Sequence, residues 1–142
     1  MKKLICLIIS VLMLTSCELE LLDNGKLDGN WQLRQMDDFS AGSTHDMSHS
    51  YIYWGVQGDL LQVRDIDNNL RILFRYEKNG DELKIYSPYL FITKDELTEL
   101  DDVEQLQPLG ITEIENHYKI EHLSNDHLTL RDKTYRLYFK KY

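Results

Sequence analysis

The sequence predicts an all-β protein, an eight-stranded antiparallel up-and-down barrel with one short helix between the fifth and sixth strands. Three observations lead to this prediction. From Asn30 onward, apolar residues recur at every second position, which is the period of a strand with one buried face. Turn-forming residues interrupt the alternation roughly every eight to twelve residues, as in an antiparallel meander. Eight sequential antiparallel strands can also close on themselves and remove both exposed edges.

The expected strands lie where apolar alternation and turn residues agree. Their ranges are about 30–38, 50–57, 59–66, 70–78, 82–88, 112–123, 127–131 and 134–141. Asn79-Gly80 suits a two-residue type I′ turn, and similar turns are expected at Gln57-Gly58 and Asp132-Lys133. The pairings that these turns and a three-residue turn at Ser124-Asn125-Asp126 predict are Tyr76 with Leu83, Trp54 with Leu61, Leu130 with Tyr135, and Ile120 with Leu130.

The predicted helix lies in the long connection between the fifth and sixth strands. Thr93 and Glu96 form a capping-box pattern, and Leu97 and Leu100 follow at helical spacing. Pro108 forbids continuation of the helix. Acidic residues crowd this segment, which indicates either a solvated helix face or an acidic docking surface.

The first 16 residues have the composition of a secretion signal, with two lysines and then an apolar run over residues 4–14. At about eleven residues, the run is too short for a bilayer, which needs about twenty. Leu14-Thr15-Ser16-Cys17 resembles the bacterial lipobox, in which the cysteine receives diacylglycerol before cleavage. The resemblance implies that residues 1–16 are a lipoprotein signal peptide and that Cys17 is the lipid-attachment site.

This lipobox also sets the expected organisation and location. Residues 17–26 form a tether, and residues 27–142 form the barrel domain. The acylated Cys17 would make a membrane of the bacterial cell envelope the partner of the protein. Glu18 stands where the enterobacterial pattern has the aspartate of inner-membrane retention. The expected location is therefore the outer membrane, facing either the periplasm or the cell surface.

Charge and cysteine content exclude several functions. The formal net charge is −8, and removing Lys2 and Lys3 with the signal leaves 14 basic against 24 acidic residues, a charge of −10. Nucleic acid is a poor partner for such a surface. The two cysteines are Cys6, inside the signal, and Cys17. No thiol is left for a disulfide, a nucleophile or a zinc site.

Gly29-Asn30-Trp31, at the start of the first strand, resembles the Gly-x-Trp signature of the lipocalins. The large loop over residues 39–49 lies where lipocalins carry their lid. Together with eight strands and a lipobox, these features are similar to those of the small lipocalin-like lipoproteins of bacteria. In lipocalins an arginine from the last strand region packs on this tryptophan, so the resemblance implies that role for Arg131 or Arg136.

Common catalytic motifs are missing from the sequence, including a Gly-x-Ser-x-Gly elbow, a P-loop and His-Glu-x-x-His. The run from Asp65 to Asn69 begins like a calcium loop, but Leu70 replaces the required glycine, so we interpret it as a hairpin turn. His45 and His49 are better explained by a solvated polar loop than by a metal site. We therefore expect no enzymatic activity, no metal and no cofactor.

Alternation assigns a set of side chains to the barrel interior. The candidate ligand-binding residues are Gln35, Ile52, Val63, Asp65, Ile72, Ile85, Ser87, Asn116, Tyr118 and Tyr135. An apolar wall with a few polar groups is typical of a ligand pocket. Counting strand directions places the long connections 39–49 and 89–111 at the same end of the barrel, which is the expected mouth.

Two functions fit these observations. The first is a lipid-anchored binding module of the cell envelope that takes a small apolar or amphipathic molecule in the barrel mouth. The alternative is an interaction lipoprotein with a solid barrel, which acts through its outer surface, because an eight-stranded barrel can be filled by its own side chains. A cavity above about 300 Å³ favours the first function, and a filled barrel favours the second.

Overall fold

The structure is a computed structural model that describes residues 25–142. The predicted signal peptide, Cys17 and most of the tether lie outside the described residues. The strands are β1 (Gly29–Asp38), β2 (Ser43–Asp46), β3 (Ile52–Gln57), β4 (Leu60–Asp65), β5 (Leu70–Asn79), β6 (Glu82–Thr93), β7 (Glu96–Glu99), β8 (Asn116–Leu123), β9 (His127–Arg131) and β10 (Tyr135–Lys141). Two 3₁₀ turns, Gly25–Leu27 and Gln107–Leu109, are the helical elements of this part of the chain.

Eight of these strands form a closed antiparallel barrel. Neighbouring strands follow the order β1, β3, β4, β5, β6, β8, β9, β10, and β10 returns to pair with β1. In this closing pair, Trp31 lies opposite Lys141 and Asp37 lies opposite Arg136. Closure pairs the two edges of the meander with each other, which protects both of them. The prediction of an eight-stranded all-β barrel is confirmed.

The two remaining strands extend the barrel within the long connections. β2 pairs with the end of β1, and β7 pairs with the end of β6. The helix predicted after Thr93 is therefore wrong, because the chain turns back there and places Leu97 opposite Phe91. The overhanging end of β6 offers ladder hydrogen bonds to the returning segment, whereas a short isolated helix is marginal in water. Thr93 and Glu96, the expected capping pair, lie opposite each other across the hairpin.

Three of the predicted hairpin registers are wrong by two residues. The β5–β6 turn begins at Gly80, with a φ of 60°, rather than at Asn79. The observed partners are Ile85 for Tyr76, Val63 for Trp54, and Leu137 for Leu130. A shift of two residues keeps every side chain on its own face, so alternation alone cannot detect it. The predicted pairing of Ile120 with Leu130 is confirmed.

Large apolar side chains fill the middle of the barrel. The ring centroid of Trp54 lies 5.8 Å from that of Tyr118 and 5.0 Å from that of Phe139. All three side chains are at most 2% exposed, and they belong to a core cluster that includes inward residues of all eight barrel strands. Burial of this apolar surface is the main favourable term in folding.

Buried side chains also cover both ends of the barrel. Where β1 begins, Leu27 is fully buried, and its carbonyl accepts a hydrogen bond from Trp31 Nε1 at 2.8 Å. At the opposite end lie residues 103–111, which we call the plug segment. Leu106, Leu109 and Ile111 of the plug segment are at most 1% exposed and join the same core cluster. The expected mouth is therefore covered by apolar side chains.

Candidate functional site

Five of the ten predicted ligand-binding residues are part of the packed core, namely four aliphatic side chains and Tyr118. Ile52, Val63, Ile72 and Ile85 are at most 3% exposed and lie in the core cluster. Their inward orientation agrees with the alternation in the sequence. A role for them in ligand binding stays a prediction.

Gln35 and Ser87 do not point into the barrel as predicted. A bulge between Leu33 and Gln35 shifts the register of β1, so that Met36 takes the buried position and Gln35 Nε2 donates to Asp37 Oδ1 at 3.2 Å. Ser87 lies at a second bulge, with a φ of 50°, and is exposed. A bulge inserts one extra residue and reverses the faces that follow it, which apolar alternation does not reveal.

Asp65 and Asn116 point inward, and both form hydrogen bonds with loop residues at the plugged end. Asp65 Oδ2 accepts a hydrogen bond from Asn68 Nδ2 at 2.7 Å. Asn116 Oδ1 accepts hydrogen bonds from the backbone and hydroxyl of Thr112, and Asn116 Nδ2 donates to Asp132 Oδ2 at 3.1 Å. These bonds hold the chain at the plugged end. The two polar side chains therefore stabilise the loops at this end of the barrel.

Tyr118 connects the core to the plug segment. Its hydroxyl donates to the carbonyl of Gly110 at 2.8 Å, and its ring is 1% exposed. Burial raises the pKa of Tyr118 well above its usual range, and the charge of Asp132 adds to this shift. Tyr135 is half-buried nearby, and burial followed by the charges of Asp38 and Asp132 raises its pKa. Both phenols are therefore neutral at physiological pH.

The signature residues at the start of β1 take a different partner from the one expected. Trp31 is fully buried, and the cation above its ring is Lys141, with Nζ 4.8 Å from the ring centroid. The expectation that Arg131 or Arg136 packs on Trp31 is wrong. Both arginines stack on Phe39 instead, at 4.8 and 5.4 Å. Phe39 follows the plugged end of β1, where this strand meets the β9–β10 hairpin that carries both arginines. Trp31 lies at the other end of β1, opposite Lys141 at the end of β10.

Gly29 allows this lysine to approach the tryptophan. Its φ is 138°, a value that L side chains rarely adopt. A Cβ at this position would lie 2.8 Å from Cε of Lys141. The glycine of the Gly-x-Trp pattern therefore makes room for the cation that stacks on the tryptophan.

The outer face of β3, β4 and β5 carries two grooves that the sequence analysis did not identify. The larger, of about 820 Å³, crosses Gly55, Gln62 and Leu73, and the smaller, of about 440 Å³, lies at the plugged end. Arg64 and Arg71 line both grooves. Two signals in the sequence could have indicated this face. Because Val63, Asp65 and Ile72 are assigned to the interior, their neighbours Arg64 and Arg71 must point outward. Gly55, between the inward residues Trp54 and Val56, leaves an outward position without a side chain.

In residues 25–142, no group of three or more His, Cys, Asp or Glu side chains is arranged to hold a metal ion. His45 is exposed on β2, with Nε2 3.2 Å from the Ser43 hydroxyl. The same part of the chain contains no helix with the length and apolar character needed to cross a membrane.

The closed barrel and its signature agree with the family that the sequence matches. Residues 12–142 match the family model described as the lipocalin-like domain. The chain belongs to this lipocalin-like family, so the resemblance carried by Gly29 and Trp31 is confirmed. The lipocalin-like fold is generally a binding fold rather than an enzymatic one.

Two solved structures are similar in fold. A lipocalin-like protein from Bacteroides uniformis ATCC 8492 is 21% identical, with a TM-score of 0.63 over 83% of this chain and 100% of its own. An uncharacterized protein from Bacteroides eggerthii DSM 20697 is 18% identical, with a TM-score of 0.55 over 81% of this chain and 98% of its own. No curated protein matches the chain.

Proposed function

We propose that this protein is a lipid-anchored interaction module of the bacterial cell envelope that acts through its outer surface. The observation that carries the proposal is the filled barrel. Trp54, Tyr118 and Phe139 occupy its centre, and buried leucines cover both ends. The barrel then serves as a rigid support, and the grooves on its outer face are the surfaces left for recognition.

Anchoring through Cys17 supports a surface role in the envelope. The lipobox precedes the described barrel by a short tether, and several acyl chains hold a protein firmly at a membrane. On this proposal, the anchored chain sits in the outer membrane of the envelope. The described chain enters the barrel at Gly25–Leu27, at the end opposite the plug segment.

The second candidate is the binding of a small apolar or amphipathic molecule in the barrel mouth. The observation that favours it is the plug segment, which contains a 3₁₀ turn and no strand, and which Tyr118 holds by a hydrogen bond to Gly110. Displacement of this segment would open the interior beside Asn116 and Tyr118. The binding character of the lipocalin-like fold also supports this candidate.

Fractionation of a bacterial host tests the anchor. Wild-type protein should require detergent for release from the membrane fraction, and Cys17→Ala should release the protein without detergent. The mass of the wild-type protein should include the acyl groups. An unlipidated wild-type mass with unchanged fractionation of Cys17→Ala would contradict the anchoring.

Native mass spectrometry of the purified full chain tests the filled barrel. The protein should appear without an interior ligand, because side chains fill the interior. A stoichiometric small molecule that is retained by the wild type and lost in Tyr118→Trp would instead place the ligand inside the barrel, in favour of the second candidate. Arg75→Gln, an exposed change on the outside of β5, is the matched control.

A further inference from the structure

Arg64 and Arg71 form an unusual pair on the outer face of the barrel. They lie directly opposite each other in the β4–β5 ladder. Like charges at such positions repel each other. Neither forms an ion pair with a carboxylate in residues 25–142, whereas Arg131 and Arg136 share Glu121. The chain as a whole is acidic, with a formal net charge of −8, so two adjacent cations without an acidic partner need a separate explanation.

Aromatic rings hold both guanidinium groups in place. Arg64 stacks over Tyr53 at 5.5 Å, and Arg71 stacks over Phe91 at 5.0 Å from the ring centroids. Arg64 Nη2 also donates to Asn30 Oδ1 at 3.3 Å. Stacking restrains the guanidinium plane and leaves N–H groups at its edge for a ligand. The two rings belong to β3 and β6, on either side of the arginine pair, and each arginine presents its remaining N–H donors at the grooves that both arginines line.

The arginines stand where the two grooves meet. The smaller groove continues from them along the apolar side chains of Ile66, Leu90 and Ile92. Ile66 and Ile92 are each 52% exposed. Asp65 also lines this groove, but it is only 6% exposed, and its carboxylate accepts hydrogen bonds from the backbone and side-chain amides of Asn68. A cationic pair at the head of an apolar groove matches a molecule with an anionic head and an apolar chain.

We propose that Arg64 and Arg71 bind the carboxylate or phosphate headgroup of a single-chain amphiphile, whose chain lies along the 440 Å³ groove. This inference rests on the proposed function, because it names the ligand class of the outer surface. An individual molecule suits the concave groove, whereas a flat bilayer would contact only its rim. The acidic net charge also opposes attraction of the whole protein to an anionic bilayer, so recognition depends on the local arginines.

Calorimetric titration of the purified full chain in neutral phosphatidylcholine nanodiscs tests the site, with empty nanodiscs as the blank. The probes are hexyl phosphate, hexyltrimethylammonium and inorganic phosphate. Hexyl phosphate should bind most tightly, inorganic phosphate more weakly, and the cationic probe least. Added salt should weaken the binding of both phosphates, because the site is exposed to solvent.

Variants separate the contribution of the head from that of the chain. Arg64→Gln and Arg71→Gln should each weaken hexyl phosphate binding about tenfold, as expected for loss of a charge-assisted hydrogen bond. Arg75→Gln, on the same face of β5 but outside both grooves, should leave the affinity within about twofold. Ile92→Ser should weaken hexyl phosphate and leave inorganic phosphate unchanged.

Four outcomes would overturn the proposal. The first is an equal loss of affinity in Arg75→Gln, and the second is tighter binding of the cationic probe. The third is the absence of hexyl phosphate binding. In that case, arginine-dependent sedimentation with phosphatidylglycerol vesicles would indicate that the outer surface binds a bilayer, and the lack of such sedimentation would leave a protein as its partner. The fourth is hexyl phosphate binding that is lost in Tyr118→Trp and kept in both arginine variants, which would also overturn the proposed function.

Discussion

Gly110 brings the plug segment into close contact with the barrel wall. Its φ is 87°, and its carbonyl accepts the hydrogen bond from Tyr118. A Cβ built at this position would lie 2.6 Å from Cδ2 of Leu137. Contact this close requires glycine, both for its backbone conformation and for the missing side chain. The packing of the plug segment against the barrel wall therefore depends on a glycine at position 110.

We expect Gly110→Ala to lower the free energy of unfolding by about 1–3 kcal/mol more than Gly58→Ala, because only the first forces the packed core apart. Gly58 is the matched control, with a φ of 61° and no heavy atom within 4 Å of a built Cβ. Urea denaturation measures both changes. Equal losses in the two variants would mean that the plug segment is not packed against Leu137.

His117 gives the stability of the barrel a dependence on pH. Its ring nitrogens lie 3.0 Å from a carboxylate oxygen of Glu82 and 3.4 Å from one of Glu115. These two hydrogen bonds raise the pKa of His117 above its ordinary value, and the bond with Glu82 has the larger effect. A group whose pKa is raised on folding stabilises the fold fully below its unfolded pKa, about 6.5, and this stabilisation is lost as pH rises through the folded pKa.

We therefore expect His117→Gln to lower the urea midpoint at pH 5.5 and to have little effect at pH 9. Glu82→Gln should reduce this pH dependence, because it removes the stronger partner. A histidine variant that loses the same stability at both pH values would show that the ring contributes by packing instead. The effect is expected to be modest, since the ring is exposed to solvent.

At the scale of elements, the strands were predictable and their irregularities were not. Alternation placed Ile72 and Ile85 inside because one buried face imposes a period of two residues. The same pattern could not reveal the bulges that turn Gln35 and Ser87 outward, since a bulge changes the count by one residue without a compositional signal. The position of Leu97 is compatible with a helix and with a strand. The segment forms strand β7 because the end of β6 extends beyond the barrel and pairs with it.

The plug segment provides the prediction at this scale. Leu106→Ala should lower the free energy of unfolding by about 2–5 kcal/mol, the range for truncating a buried leucine. Leu97→Ala on β7 is the control, because Leu97 is 51% exposed, and its effect should stay within about 0.5 kcal/mol. Thermal and urea denaturation measure both. If the two variants lose equal stability, the plug segment is not part of the cooperative core.

At the scale of the whole molecule, closure of the barrel joins distant parts of the chain. The Tyr138 hydroxyl donates to Asp37 Oδ2 at 3.0 Å across a separation of 101 residues. Eight strands and closure were predictable, because sequential antiparallel strands have few other ways to protect their edges. The filled ends were not, since the burial of Leu27 and Ile111 arises from segments outside the alternating pattern.

Non-local pairing of this kind predicts slow folding. We expect the barrel to refold in milliseconds to seconds in one cooperative transition, because β1 must find β10 before the barrel closes. Stopped-flow fluorescence of Trp31 and Trp54 measures the rate, as both rings become fully buried. Complete refolding within microseconds would contradict late closure. Separate transitions for the two tryptophans would show that the barrel does not fold as one unit.

The closing pair of strands also brings residues from the two ends of the described chain side by side. Lys141 Nζ lies 3.3 Å from the carbonyl oxygen of Lys26, and the Tyr142 amide donates to the carbonyl of Asn30 at 2.9 Å. A short linker could thus join these ends in a circular permutant, with new termini opened at the exposed Gly42. A reporter fused after Tyr142 would emerge beside Lys26, at the end where the chain enters the barrel, whereas one inserted at Gly42 would project from the plugged end.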